Sequence, residues 1–494
     1  MTGFNLFLLI GALSLGITAG SIALILHFSR KPKFGGRERE LHHTHQTAIP
    51  RLGGIGLALG FIASALAFRF GVFHTDDADE CTNILVLSLA MFTLGLWDDL
   101  RTIGAKRKLI GQIIIASGAY YSGIGIHIAS IPFGHESMDL RLWAWPVTVI
   151  WLVAMTNLIN LIDGVDGLAG GISLMLMVLL AGLGTQGGCV SILASGMIGA
   201  LLGFLWFNFP PARIYMGDGG AYFLGFLIGC LTIVSSHKGT VFAALIAPLF
   251  VMALPILDTS MAIVRRGIQG LPLFRPDRKH IHHRMLDSGL SRRNVVLGAY
   301  AFTAFFLLLG FVAFWTHGEH LPILAGFGTL FILLAAGKLS FSREWLGVGH
   351  VLGNSLSARA KIQYALAQTR WLILEGAHCR DLDSLCEDTL FAGRKIGFRS
   401  VSIKLADIEK KWQQTPVDNE KDCWTFRQCL PGRPDSYIEI TAVTNIESGT
   451  KMISPSESHI LDKHTFEILS DLLAEGWAKA VAKWERKSGN SPSK

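Results

Sequence analysis

The sequence predicts an all-α polytopic membrane protein of about eleven transmembrane helices. Its amino terminus is expected outside and its carboxyl terminus inside, with a small cytosolic α+β domain at the carboxyl end. Three observations predict this. Half of the 494 residues are apolar and 16% are charged, against roughly 25% charged in a soluble domain. Long apolar runs fill residues 1–340, whereas the sequence from about 356 onward has soluble character. Lysine and arginine also alternate in density from one connection to the next. This composition excludes intrinsic disorder, collagen and coiled coil.

A helix needs roughly 20 apolar residues to cross the hydrocarbon, since every backbone polar group must be paired internally. The expected spans are 4–28, 52–73, 83–97, 109–127, 142–160, 167–184, 189–207, 220–235, 239–264, 297–316 and 321–338. The first is too long for a signal peptide and lacks a small-residue cleavage site, so it reads as a retained span. The connections 29–51, 98–108 and 265–296 carry six, four and eight Lys and Arg residues. On the alternate side, 74–82, 185–188 and 317–320 carry none, and 128–141 and 236–238 carry one each. The basic side is the cytoplasmic one. The formal charge of +7 therefore reads as membrane orientation, with no nucleic acid implied. Seven cysteines with no C-x-x-C argue against a disulfide framework or zinc ribbon and predict reduced thiols.

Four unusual segments fall on the cytoplasmic side. The first is Trp97-Asp98-Asp99, followed by Arg101, Lys106, Lys108 and Gln112. Two carboxylates at the negative end of a helix dipole need a metal ion, a lysine or a substrate proton to offset their repulsion; a solvated acidic pair is the bland alternative. The second is the run from Asn157 through Asn160, Asp163 and Asp166 to Gly171. Asp163 and Asp166 share a face wherever the chain is helical, and ionisable groups at the end of an apolar span are a functional hypothesis by default. The third runs from Asn208 through Pro210-Pro211 to Gly217-Asp218-Gly219. Asp218 reads either as a helix cap or, with the backbone amides, as the holder of a metal–phosphate unit. The fourth is the loop 265–296, with Arg265, Arg266, His280, His282, His283 and Arg284. Its histidines lack companion cysteines for zinc, and the arginines favour a diphosphate; contact with anionic lipid is the alternative. Carboxylates for Mg²⁺ beside a basic loop for a polyanion suit phosphoryl transfer to a membrane-resident acceptor.

At these residues the sequence resembles the polyprenyl-phosphate N-acetylhexosamine-1-phosphate transferases. The nearest branch is the one that starts O-antigen lipopolysaccharide and related glycans by moving N-acetylglucosamine-1-phosphate to undecaprenyl phosphate. The resemblance covers about residues 1–340. It rests on His45-x4-Pro50-Arg51-x-Gly53-Gly54, Asp98-Asp99, the run 157–171, Asn208 with YMGDGG at 215–220, Pro255-Ile-Leu-Asp258-Thr and HIHHR at 280–284. It implies a multi-pass enzyme of the bacterial inner membrane with a cytoplasmic active site. A UDP-N-acetyl-aminosugar and undecaprenyl phosphate would react with Mg²⁺, or Mn²⁺ in its place, to give a lipid-linked sugar diphosphate and UMP. By matching positions, Asp166 and Asp218 would hold the metal, and Asp98 or Asp99 would deprotonate or position the lipid phosphate. Asp163, Asn157, Asn160 and Asn208 would line the nucleotide-sugar site. His280, His282, His283 and Arg265 or Arg266 would contact its diphosphate or sugar, with His45, Lys108 and Arg284 also in the substrate set. Relatives further imply a homodimer. Where many of them carry Arg-Lys before the first-loop histidine, this chain has His42 and His43, so no lysine role carries over there. The HIHH form departs from the triple histidine of the muramoyl-pentapeptide transferases and argues against a peptidoglycan substrate.

Residues 341–355 read as a linker. Beyond it, apolar spacing predicts helices over 357–376, 381–395 and 457–486, with strands around Val401–Leu405, Trp424–Phe426 and Ile438–Ile440. The element order resembles small-ligand sensor domains of the GAF type and suggests a regulatory role. Two other classes compete with the transferase. A catalytically silent receptor signalling through the tail has no use for the full acidic set. A CDP-alcohol phosphotransferase needs D-G-x-x-A-R, and DGVDGLAGG lacks the arginine.

Overall fold

A computed structural model describes residues 3–29, 49–70, 78–101, 103–130, 137–183, 188–237, 291–316, 348–405, 408–414, 423–430, 433–443 and 463–488, with scattered positions between 256 and 331. The chain divides into two compact units.

The first unit is a helical bundle. Its helices are α1 (Gly3–Ser29), α2 (Gly53–Phe70), α3 (Ala78–Leu100), α4 (Ala105–Tyr121), α5 (Ala144–Ile162), α6 (Leu168–Leu183), α7 (Cys189–Asn208), α8 (Gly217–His237) and α9 (Arg292–Trp315). A short antiparallel hairpin, β1 (Ile128–Ser130) with β2 (Ser137–Asp139), lies between α4 and α5. Six of the described helices are long and apolar enough to cross a membrane, and α2 and α6 are apolar but shorter. The expected spans 239–264 and 321–338 fall largely outside the described residues. Large aromatics face outward at both ends: Trp97 and Trp206 are 59% and 77% exposed, Tyr121 and Trp143 80% and 71%. That is the belt pattern of a protein anchored at two membrane interfaces.

Helix α8 occupies the centre, with 94% of its most apolar stretch buried, which fits a helix that is apolar all round. Lipid is as apolar as leucine, so helices in a membrane associate through small residues and polar contacts. The α1–α7 and α1–α2 contacts follow that rule. A Cβ on Gly199 would fall 1.9 Å from the Gly11 carbonyl oxygen, and one on Gly203 2.9 Å from that of Leu15. Ser195 Oγ donates to Phe7 O at 2.6 Å, and Thr18 Oγ1 to Gly56 O at 3.1 Å. Gly199→Ala is therefore expected to push α1 off α7 and destabilise the bundle by about 3 kcal/mol. Thermal melting in detergent checks this.

Cys81 and Cys189 form a disulfide between the amino-terminal ends of α3 and α7, across 108 positions of sequence. This corrects the expectation that all the thiols are reduced; the other five cysteines are free. Helix packing brings the pair together, and residue spacing carries no trace of it.

The second unit holds α10 (Val348–Glu375), α11 (Leu382–Ile396), β3 (Ser400–Leu405), β4 (Ile408–Gln413), β5 (Cys423–Leu430), β6 (Arg433–Val443) and α12 (Lys463–Ser488). Its sheet is antiparallel throughout, in the order β4-β3-β6-β5. Val401, Ile403, Ile438 and Ile440 form a core with Leu385, Leu469, Leu473 and Trp477. Asp381 caps α11 by accepting from Ser384 N–H at 2.7 Å, and Gly397 ends it at φ 98°. Helix α10 reaches back into the expected linker. Strand β4 was not expected, because in IEKKWQ a lysine, Lys410, takes the inward position between Ile408 and Trp412 and hides the apolar alternation.

Candidate active site

The carboxyl ends of α3, α5 and α7 meet the amino ends of α2, α4 and α8 at one end of the bundle. The segment 214–217 fixes this junction. Tyr215 N–H donates to Pro50 O, and Tyr215 O and Met216 O accept from Gly53 and Gly54 N–H, each at 2.9 Å. Gly217 then opens α8 with φ at 77°, a conformation that favours glycine. A Cβ there would meet Arg51 O at 2.5 Å and Asp99 Oδ2 at 2.7 Å.

The free amides at the start of α8 are capped from another helix. Asp218 N–H donates to Asp99 Oδ1 at 3.0 Å and Gly219 N–H to Oδ2 at 2.8 Å. Helix α3 comes this close because residue 95 is glycine; a Cβ would lie 2.4 Å from Asp218 O. The cap reading considered for Asp218 thus belongs to Asp99, which leaves the Asp218 carboxylate free of that duty.

Lys108, in the first turn of α4, joins the two remaining carboxylates. Its Nζ lies 2.5 Å from Asp98 Oδ2 and 2.9 Å from Asp218 Oδ2. Asp98 is buried at 5% exposure, and its Oδ1 accepts from Ile103 N–H at 2.8 Å, setting the turn between α3 and α4. Burial works against the ammonium, but the bonds to Asp98 and Asp218 outweigh it and raise the Lys108 pKa. Asp163, just beyond α5, faces the same cluster. Burial pushes its carboxyl well above the usual range, and the charges of Asp218 and Asp99 push the same way; Arg51 and the Gly217 N–H oppose.

Asp166 and Asn208 brace the segment between α7 and α8. Asp166 Oδ2 accepts from Ala212 N–H at 3.1 Å. Asn208 Oδ1 accepts from Gly167 N–H at 2.9 Å, and its Nδ2 donates to Ile214 O at 2.7 Å. Pro210-Pro211 between them is cis. Tyr300 of α9 donates to Gly167 O at 2.6 Å. Asp166 and Asp218 thus stand at the same end of the bundle, joined through residues 208–218. On α5, Asn157 Nδ2 donates to Gln112 Oε1 at 2.8 Å. Gln112 is 1% exposed, and its Nε2 has no hydrogen-bond partner. Asn160 lies three residues on, its carbonyl accepting from Asp163 N–H at 3.4 Å.

The structure therefore brings Asp98, Asp99, Asp163 and Asp218 together with Lys108, and places Asp166, Asn157, Asn160 and Asn208 around them. His45, Arg265, His280, His282, His283 and Arg284 lie outside the described residues. Arg266 is described, within the second unit. Sequence reasoning gave no role to Gly95, Gln112 or Tyr300. Gln112 had a signal, a lone amide in the apolar run IGQIII; Gly95 had none. Five carboxylates against Lys108 and Arg51 leave a negative excess, and oxygen donors of this kind fit a hard divalent cation.

Glycosyl transferase family 4 matches residues 81–236, which contain every carboxylate of the cluster. The chain is 37% identical over 270 residues to a Bacillus subtilis (strain 168) protein named probable undecaprenyl-phosphate N-acetylglucosaminyl 1-phosphate transferase, covering 54% of this chain and 72% of the relative. It is 32% identical over 338 residues to the decaprenyl-phosphate N-acetylglucosaminephosphotransferase of Mycobacterium tuberculosis (strain CDC 1551 / Oshkosh), covering 60% and 80%. It is 28% identical over 332 residues to the phospho-N-acetylmuramoyl-pentapeptide-transferase of Halalkalibacterium halodurans, covering 63% and 94%.

Proposed function

Since the chain belongs to glycosyl transferase family 4, as a phosphotransferase of the polyprenyl-phosphate N-acetylhexosamine-1-phosphate kind, we propose that it moves N-acetylglucosamine-1-phosphate from UDP-N-acetylglucosamine to undecaprenyl phosphate. The products are undecaprenyl-diphospho-N-acetylglucosamine and UMP, the first step of a cell-surface polysaccharide such as O-antigen. The reaction takes place on the cytoplasmic face of the inner membrane. The observation that carries this reading is the meeting of Asp98, Asp218 and Lys108 from three helices beneath the capped amino end of α8.

A lipid phosphate oxygen attacks the β-phosphorus of the nucleotide sugar, and the bond from that phosphorus to the bridging oxygen breaks as UMP leaves. Lys108 and Asp98 position the incoming phosphate, with Lys108 offsetting its charge. Asp218 and Asp163, with Asp166 behind them, would hold Mg²⁺ or Mn²⁺. When bound, that ion supplies charge neutralisation at the diphosphate. Asn157 and Asn160 face the nucleotide sugar, while Asn208 and Asp99 hold the backbone that shapes the site. The residues 280–284 and Arg265 supply diphosphate contacts in this reading.

Membranes containing the chain are expected to release UMP from UDP-N-acetylglucosamine only when undecaprenyl phosphate and a divalent cation are both present. A panel of radiolabelled UDP-sugars identifies the donor; no lipid-linked product from any UDP-N-acetylhexosamine would overturn the reading. Gln112→Leu removes the acceptor that orients Asn157 and also the unpaired amide. It should lower transfer roughly tenfold while leaving the melting temperature little changed, because one hydrogen bond is worth about 1 kcal/mol and an orphan donor disappears with it.

A further inference from the structure

The Cys81–Cys189 disulfide stands at the end of the bundle remote from the acidic cluster. Cys81 precedes Asp98 on α3 by seventeen positions, and Cys189 precedes Asn208 on α7 by nineteen. These are rises of about 26 and 28 Å, close to the roughly 30 Å of a bilayer core. The connections beside the two cysteines, 74–82 and 185–188, contain no lysine or arginine, whereas 98–108 at the opposite end contains four. That asymmetry puts the cysteine end outside the cytoplasm. Their Cα atoms are 5.7 Å apart, within the range a disulfide spans, and both residues are buried.

We propose that Cys81–Cys189 is an oxidative modification made on the extracytoplasmic side of the membrane, stapling α3 to α7 at the ends remote from the acidic site. The two thiols lose two protons and two electrons by thiol–disulfide exchange with a disulfide-bonded oxidant protein of that compartment. One S–S bond forms in this chain, and the oxidant's own S–S bond is broken to a dithiol. The cytosol, kept reducing, does not sustain such a bond. The staple ties together the helices that deliver Asp98, Asp99 and Asn208. It stands independently of which sugar or lipid reacts.

Thiol counting tests the proposal. Full-length protein in membranes is denatured without reductant and treated with polyethylene-glycol maleimide. Five additions are expected, and seven after reduction, since five of the seven cysteines are free. Without reductant, Cys81→Ser and Cys189→Ser should each give six. Seven additions to the unreduced wild type would overturn the bond, and four for Cys81→Ser would place it on other cysteines. If neither variant accumulates, the wild-type count decides alone. In a host lacking its extracytoplasmic dithiol oxidase the unreduced count should rise to seven; a count still at five would overturn the compartment. Warming the oxidised and reduced proteins side by side should shorten the half-life of the reduced form several-fold, and equal half-lives would overturn the staple.

Discussion

Asp218→Asn is expected to lower transfer by at least about a thousandfold, the scale seen when a preorganised charge at a reacting phosphoryl group is removed. The substitution keeps the shape of the side chain and leaves the Asp218 backbone N–H donating to Asp99, so the capped end of α8 should survive. What is lost is the negative oxygen 2.9 Å from Lys108 Nζ and, in our proposal, a metal ligand. Initial rates across UDP-N-acetylglucosamine and Mg²⁺ concentrations separate these effects. Lost metal ligation should appear as a higher Mg²⁺ requirement in any residual activity, whereas lost lysine positioning should depress the rate at every Mg²⁺ concentration. Melting in detergent should stay near wild type. Unchanged turnover would reject the assignment of Asp218.

Gly217→Ala should combine a large loss of activity with a loss of stability of roughly 2–4 kcal/mol, through backbone strain at positive φ and overpacking. The new Cβ has no free direction: it meets a backbone oxygen, Arg51 O, at 2.5 Å and the capping carboxylate at 2.7 Å. Relief requires residues 49–54 to retreat, which breaks their hydrogen bonds to Tyr215 and Met216, or Asp99 to retreat, which uncaps α8. The expected outcome is a clearly lowered melting temperature, with residual activity far below what the folded fraction accounts for. A variant that melts and turns over like the wild type would show that the junction re-forms around a methyl group.

The helical, membrane-crossing character of the first unit and the strand-containing region after it were legible in the sequence, because a bilayer demands long apolar runs and a soluble core does not. The acidic positions stood out for the same reason: Asp98, Asp163 and Asp218 interrupt sequence that is otherwise apolar. Their division of labour was not legible. Nothing local distinguishes Asp98 from Asp99, yet one pairs with Lys108 and the other caps a helix 119 positions away. Asp166 was expected at the metal, and the structure finds one of its oxygens bracing Ala212. Such assignments depend on which backbone amide lies opposite, which is a property of packing. Strand β4 escaped notice because Lys410 takes the inward position between Ile408 and Trp412 and breaks the apolar alternation, and the cysteine pair because pairing across helices leaves no spacing signal.

The cap on α8 has a consequence for the order in which the chain becomes an enzyme. Asp99 leaves the ribosome long before Gly219, so the early helices wait in the bilayer with an acidic end that has no amides to receive it. Only when the eighth helix arrives does the carboxylate find its donors, and in the same event Asp218 reaches Lys108. A nascent chain that stops short of that point can pair Asp98 with Lys108 and Ile103 but has neither Asp218 nor the amides that receive Asp99. The acidic cluster is therefore completed late in synthesis, by the docking of α8.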